Sequence, residues 1–336
     1  MPDTYLPSMS LDAYLRTIAS DHAQLSSLID RARLREVAVD GGLAACDNEF
    51  ESDATGRGDS YRRAQQDASV RWTGARRLLE LAAPAHAAGD ATVLDVLGGD
   101  GTIARALTAH GDGASARLRI LTGDISGAMV ERALAYGLSA LRQSAEALIL
   151  RDDSVSAVLL AYGTHHIAPE RRPLAIAEAV RVARPGGRVV VHDFDDSSPM
   201  AGFFGEVVHS YSAVGHPYEH FSRARMVALF DGLDVPVSVS DVYDPLIVRA
   251  ETEDEARRRM CDYLADMYGI HAFFAQLDRN EAWHRVRQHF DHTAYLAGTD
   301  APPGTRVRPT TYRVDGGYAA EVPRMALAAV ATKAPA

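Results

Sequence analysis

The stretch Val93-Leu94-Asp95-Val96-Leu97-Gly98-Gly99-Asp100-Gly101 decides how the chain is read. It opens as an apolar run of strand character. The glycines that follow let the backbone turn sharply into a helix and approach a ligand with no Cβ in the way. Gly98, Gly99 and Gly101 do not reproduce the dinucleotide spacing G-x-G-x-x-G, and no Walker lysine follows. Asp95 and Asp100 put carboxylates where a pyrophosphate would otherwise be held, which favours a cationic ligand over a phosphorylated one.

Working outward, short apolar runs alternate with helical stretches: Thr92–Leu97, Ile103–Ala109, Leu118–Leu121, Met129–Leu138, Val155–Leu160, Leu174–Val182 and Val189–Val191. Such alternation predicts a parallel sheet covered by helices on both faces, a doubly wound α/β fold whose ligands bind at the carboxyl ends of the strands. Pro185-Gly186-Gly187 reads as the turn before the last of these strands. The second strand ends in Gly123-Asp124, where an acid can accept both hydroxyls of a ribose.

Before this core, Leu11, Tyr14, Leu15, Ile18, Leu25, Leu28 and Ile29 recur at helical spacing. They are read first as a face packed on the body of the protein and second as a homodimer face. Residues 47–60 are polar, with Gly56 and Gly58, and read as a loop or hinge. After the core come helical stretches near Met200–Ser212 and Ser222–Phe230, a strand-like Val237–Val248, an aromatic- and histidine-rich helical insertion, and a terminal strand at Met325–Thr332. The expected organisation is an N-terminal helical segment (1–60), a nucleotide-binding core (61–250), a helical lid insertion (251–317) and a terminal strand completing the core (318–336).

The 336 residues carry 35 basic and 45 acidic side chains, a net of -10, which disfavours nucleic-acid phosphate and points to a small-molecule partner. Cys46 and Cys261 form no disulfide framework or cysteine-rich zinc site. No stretch approaches the ~20 apolar residues of a membrane helix, and no secretory signal opens the chain. A cytoplasmic protein is expected.

Asp95–Gly101, Asp124 and Arg184-Pro185-Gly186-Gly187 together resemble the class I S-adenosylmethionine-dependent methyltransferases over roughly residues 70 to 195. The resemblance implies a Rossmann-like methyltransferase sheet with S-adenosyl-L-methionine as cofactor. Asp95, Gly98, Gly99 and Gly101 would line its methionine and ribose, and Asp124 would hold the ribose diol. Ser144 and Ala145, after the third strand, match the adenine-contacting segment, although relatives often have an aspartate where Ser144 stands. Tyr162 follows the fourth strand beside the cofactor. It replaces an acid that serves as metal ligand or amine binder in some relatives, which argues against a catechol-type magnesium site and a DNA-amine methyltransferase.

Methyl transfer is an in-line displacement from an activated donor, so the protein must align the nucleophile and remove its proton. His165 and His166 follow the fourth strand, and His166 is the first candidate base. Tyr218, His220 and His271 are further candidates. Asp193, Asp195 and Asp196 follow the fifth strand, where one of them could assist a base or all could be loop and cap residues. His216 and His220 are spaced like metal ligands on a helix, but Pro217 opposes a helix there, and no metal is expected. Among Tyr263, Tyr268, His271, Phe273, Phe274, Trp283, His284, His289, Phe290, His292 and Tyr295, many are expected to be core and the rest to line a pocket for a flat substrate. Arg71, Arg76 and Arg77 are candidate carboxylate clamps. A narrower resemblance is to bacterial natural-product enzymes that C-methylate aromatic amino acids beside a phenol hydroxyl. O- or N-methylation, a metal-assisted α-keto acid C-methylation and a non-catalytic cofactor-binding regulator are the alternatives.

Overall fold

The computed structural model describes residues 4–40, 43, 50, 58–83, 90–112, 117–297, 301–302 and 304–335. Cys46 and most of the 47–60 stretch lie outside them, and Gly58 opens a helix, Gly58–Gln65. Seven strands form the main sheet: β1 (Ala91–Asp95), β2 (Leu118–Asp124), β3 (Ala140–Arg142), β4 (Val155–Ala161), β5 (Ala183–Phe194), β6 (Val237–Tyr243) and β7 (Met325–Thr332). Their order is β3-β2-β1-β4-β5-β7-β6. β7 alone runs antiparallel to its neighbours. The chain winds outward from β1 to β3 and returns to β4 on the other side of β1, so the strand order reverses beside β1 and leaves a crevice at the carboxyl ends.

Successive residues of the inner strands are buried on opposite faces, as a sheet covered on both sides requires. Leu94, Val158, Leu160, Val189 and Val191 join one cluster. Val93, Ala157, Leu159 and Val190 face the other way, against Ala75, Leu78 and Leu79 of helix Trp72–Ala82. The Pro185-Gly186-Gly187 turn is a looped-out step within β5: β4 pairs Val155 with Ala183 but Ala157 with Arg188. Gly186 adopts φ +73, which favours glycine.

The apolar N-terminal face folds back on the chain. Two helices, Leu11–Asp21 and Ala23–Leu28, break at His22, and Leu11, Tyr14, Ile18, Leu25 and Ile29 are buried in the main core. Tyr14 donates its hydroxyl to the Ala140 carbonyl at 2.9 Å, fastening the segment to β3. The packing alternative therefore accounts for this pattern.

The C-terminal insertion contains helices Glu253–Tyr268, His271–Phe274 and Arg279–His289. The strand-like 237–248 segment is two strands, β6 and Leu246–Ala250. The latter pairs with Gly317–Val322, which pairs with Thr310–Val314, to form a small antiparallel sheet that the helical reading of this region did not include. Met260, Leu264, Tyr268, Phe203, Phe204, Phe290 and Val322 build a second core over the crevice. Among the described residues, no helix is long and apolar enough to cross a membrane.

Candidate active site

The glycine loop is held from both neighbouring strands. The Val96 N–H donates to Leu159 O at 2.9 Å and the Gly98 N–H to Gly123 O at 2.8 Å. Asp124, half-buried at the end of β2, accepts the Gly99 N–H on Oδ2 at 2.9 Å and the Ser126 N–H on Oδ1 at 2.8 Å. A carboxylate has about four lone-pair sites, so it can accept several donors at once. Among the described residues nothing lies within 4 Å of where a Cβ on Gly99 (φ +58) would stand, and Gly99 borders the cavity. Gly101 (φ +85) has a different role, because a Cβ there would run into Leu138. Asp100 turns away from the expected ligand side and pairs with Arg105 at 2.7 Å, so its role is to tie down the following helix.

The cavity at the strand ends measures about 450 Å³, within the size range of small-molecule sites. Leu97, Gly99, Asp124, Ile125 and Met129 form one side. Tyr162, His165, His166, Phe194 and Tyr218 form another, and Tyr61, Phe204, Met267 and Tyr268 close over it. A smaller adjoining pocket is bordered by Asp95, Gly98, Arg71 and Tyr162. Asp95 is fully buried, and burial together with the nearby Asp124 charge pushes its carboxyl up to about 7, against some relief from Arg71. Its Oδ1 has no hydrogen-bond partner among the described residues.

Arg71 enters both pockets, its guanidinium 3.7 Å over the Tyr162 ring and its buried Nε without a hydrogen-bond partner among the described residues. Arg76 and Arg77 are exposed and pair with Glu80, so only Arg71 is placed to clamp a carboxylate. Tyr162 itself sits at φ +65, a conformation uncommon for an aromatic residue, and its hydroxyl donates to Asp244 at 3.1 Å. Asp244 is fully buried and ion-paired at 2.5 Å with Arg324, which also borders the cavity. Nothing local in the sequence marks Asp244 or Arg324 as site residues. Ser144 and Ala145 lie just past β3 in a turn closed by a Ser144–Ala147 bridge, and neither borders the cavity.

The histidines divide. His165 is buried, with Nδ1 2.9 Å from Asp193 Oδ2, and the His165 backbone N–H donates to the same oxygen at 2.8 Å. The two neighbouring imidazoles, His165 and His220, outweigh burial and hold Asp193 well below the usual carboxylate range. His166 is half-buried at the cavity wall, 4.3 Å from the Tyr218 ring and 5.6 Å from Phe50. His216 and His220 share no helix, as Pro217 requires, but their Nε2 atoms meet at 3.0 Å. His271 is a correction: it is exposed, paired with Asp266 at 3.1 Å, and does not border the cavity. Of the aromatic set in the insertion only Tyr268 does; Tyr263, Trp283 and Phe290 are core. Asp195 caps the next turn, accepting from the Ser197 N–H at 2.8 Å, and Asp196 is exposed.

A loop with an open glycine cradle, a half-buried acid at the end of the next strand and a buried acid near an arginine whose Nε has no hydrogen-bond partner among the described residues fit a sulfonium nucleoside that carries its own ammonium and carboxylate. Residues 93–187 match the family described as a methyltransferase domain. They form a class I S-adenosylmethionine-dependent methyltransferase domain. Asp95 and Asp124 of this methyltransferase domain, and Arg71 from the helical turn before it, border the two pockets at the strand ends.

A 109-residue stretch is 37% identical to the ubiquinone/menaquinone biosynthesis C-methyltransferase UbiE of Rhizobium etli, covering 31% of this chain and 42% of that protein. The namesake from Acidiphilium cryptum is 37% identical over 111 residues, with the same coverage of 31% and 42%. The chain thus matches about two fifths of the length of these relatives. The solved YcgJ protein of Bacillus subtilis aligns with 78% of this chain and 99% of its own, at 17% identity and a TM-score of 0.47.

Proposed function

We propose that the protein methylates a small hydroxylated aromatic molecule at the ring carbon beside the hydroxyl, as a step in biosynthesis. The observation that carries this reading is the wall of the cavity: Tyr61, Tyr162, Phe194, Phe204, Tyr218 and Tyr268 surround the space next to Gly99 and Asp124, with a histidine pair on one side. Such a wall accepts a flat ring by stacking and edge contacts and excludes water from it.

When bound, S-adenosyl-L-methionine supplies an electrophilic methyl group on a sulfonium. Asp124 would accept the ribose diol, Arg71 would pair with the carboxylate and Asp95 with the cationic end. The histidine pair takes the proton of the substrate hydroxyl. The resulting phenolate charge spreads to the ortho carbon, which becomes the nucleophile. After the carbon has taken the methyl group, the ring proton there leaves to solvent, restoring aromaticity, and the protonated histidine returns its proton to the phenolate oxygen, so that one proton is released overall. The aromatic wall fixes the ring so that this carbon faces the donor.

The test is to incubate the protein with isotopically labelled cofactor and a panel of hydroxylated aromatic amino acids and aryl keto acids. Transfer to a ring carbon, located by NMR of the product, is the expected result. Label on oxygen or nitrogen would replace C-methylation with the alternative chemistry, and cofactor binding without transfer to any of the panel would refute the reading.

A further inference from the structure

We propose that His165, and not its neighbour His166, takes the substrate hydroxyl proton, and that Asp193 is the residue that positions it. The inference rests on the C-methylation reading for its substrate and on separate geometry for the residue. Asp193 lies near the end of β5 and is completely buried. Its oxygens lie 2.9 and 3.0 Å from His165 Nδ1, and it also accepts two backbone N–H groups, from His165 at 2.8 Å and from Phe194 at 2.8 Å. It therefore holds both the ring and the main chain of the same histidine.

An anionic acceptor on Nδ1 places the ring proton there, which leaves the lone pair on Nε2, the tautomer a base needs. His165 borders the cavity. The histidine that gains a proton becomes a cation directly against a buried carboxylate, so the charge that forms during the reaction is met by one already in place. Arg172 anchors the strand end by donating to the His165 carbonyl at 3.2 Å.

His220 makes a second, looser approach to the same carboxylate, its Nδ1 3.6 Å from Asp193 Oδ1 and without a hydrogen-bond partner among the described residues. Its other nitrogen is opposed to His216 Nε2, and one proton serves that pair. The ionisable groups around His165 are therefore Asp193 from β5, His166 on its own turn, His216, Tyr218 and His220 on the 212–222 loop, and Arg172 from the following helix. His165 and His166 both pack on the Tyr218 ring and border the cavity, but only His165 has its Nδ1 within hydrogen-bonding distance of Asp193.

His165, Asp193 and His220 also bring one ligand atom each within 4.8 Å of the others, as a metal site would. Each Asp193 oxygen already accepts a backbone N–H and faces Nδ1 at hydrogen-bonding distance, so a cation would have to displace the Nδ1 proton. The hydrogen-bonded arrangement is the one the geometry favours.

The experiment joins nitrogen NMR of histidine-labelled protein with kinetics of His165→Gln, His166→Gln and Asp193→Asn on a hydroxylated aromatic substrate. The tautomer requires neither turnover nor a foldable variant. His165 is expected to show a protonated Nδ1 and a bare Nε2 in the wild-type protein near neutral pH. His165→Gln should lower kcat by about 10²–10⁴-fold while cofactor affinity, measured by calorimetry, stays within about twofold. Asp193→Asn should lower kcat comparably and displace the acid limb of the rate profile, and His166→Gln should lose less than about tenfold in kcat. A proton on Nε2, a stoichiometric metal that replaces the Nδ1 proton, or a His166→Gln loss equal to that of His165→Gln would each overturn the assignment. Absence of turnover by the wild-type protein would refute the C-methylation reading, and the tautomer would still decide whether Asp193 orients His165.

Discussion

Gly99 donates its backbone N–H to Asp124 Oδ2 at 2.9 Å, so the loop after β1 and the acid at the end of β2 form one unit. Replacing Asp124 by Ala removes both the diol acceptor and this tether. Hydrogen bonds to a charged group contribute about 1.5–3 kcal/mol, so affinity for the cofactor or its demethylated product should fall roughly tenfold or more by calorimetry. An unchanged affinity would remove Asp124 from the site.

Gly99→Val tests the cradle beside it. The described residues leave space for a Cβ at this position, so the cost to folding is the left-handed backbone, about 1–2 kcal/mol. The branched side chain would project toward the cavity, and cofactor binding should be lost while the thermal transition remains cooperative. Normal binding by a folded Gly99→Val protein would show that the ligand does not approach this backbone.

Asp95 gives a pH signature of defined sign. Its folded-state carboxyl is pushed up to about 7 from an ordinary 3.8, so between those values the native state binds a proton that the unfolded chain has lost. Stability of the ligand-free protein should therefore be highest below about pH 4 as far as this group is concerned. It should decline as pH rises toward 7 and level off above, by on the order of 4 kcal/mol at about 1.4 kcal/mol per pH unit. Asp95→Asn should flatten that part of a urea-denaturation series. In the same window cofactor affinity should rise with pH, because a cationic ligand favours the ionised carboxylate; a flat affinity profile for wild type would contradict the contact.

Gly74→Ala should be strongly destabilising although it adds one methyl group to a helix. A Cβ on Gly74 would overlap the Asp244 carboxylate, which is ion-paired with the equally buried Arg324 and accepts the Tyr162 hydroxyl. Pushing Asp244 aside leaves Arg324 with an uncompensated buried charge, a disturbance of about 3–5 kcal/mol. Equilibrium unfolding that shows a loss below about 1 kcal/mol would mean that the helix shifts freely.

The sheet was legible in the sequence because its signals are local. Apolar runs broken by glycine turns mark β1, β2, β4 and β5, and Met325–Thr332 is found as β7. Asp95 and Asp124 end parallel strands and Gly99 follows in the loop, which puts all three at the crevice edge, where Gly99 and Asp124 border the cavity and Asp95 the smaller pocket. Periodicity also placed Leu11, Tyr14 and Ile18 on one face, but whether that face met β3 or a second chain depended on the long-range fit that Tyr14 and Ala140 provide.

The histidine choice was not legible in the same way. His165 and His166 are equivalent as sequence, both following the fourth strand. Parallel pairing of Ala161 with His192 brings the residues after β4 alongside Asp193, and the tight turn Thr164–His166 aims only the first imidazole at that carboxylate. Arg71 and the Asp244–Arg324 pair meet across 173 and 80 positions of chain, and His271, on a short helix with no buried residue, is exposed and falls outside the cavity. Sequence spacing determines which face or strand end a residue occupies. Which charge it meets there is decided by strand register and by the packing of distant elements, and burial then makes that meeting chemically consequential.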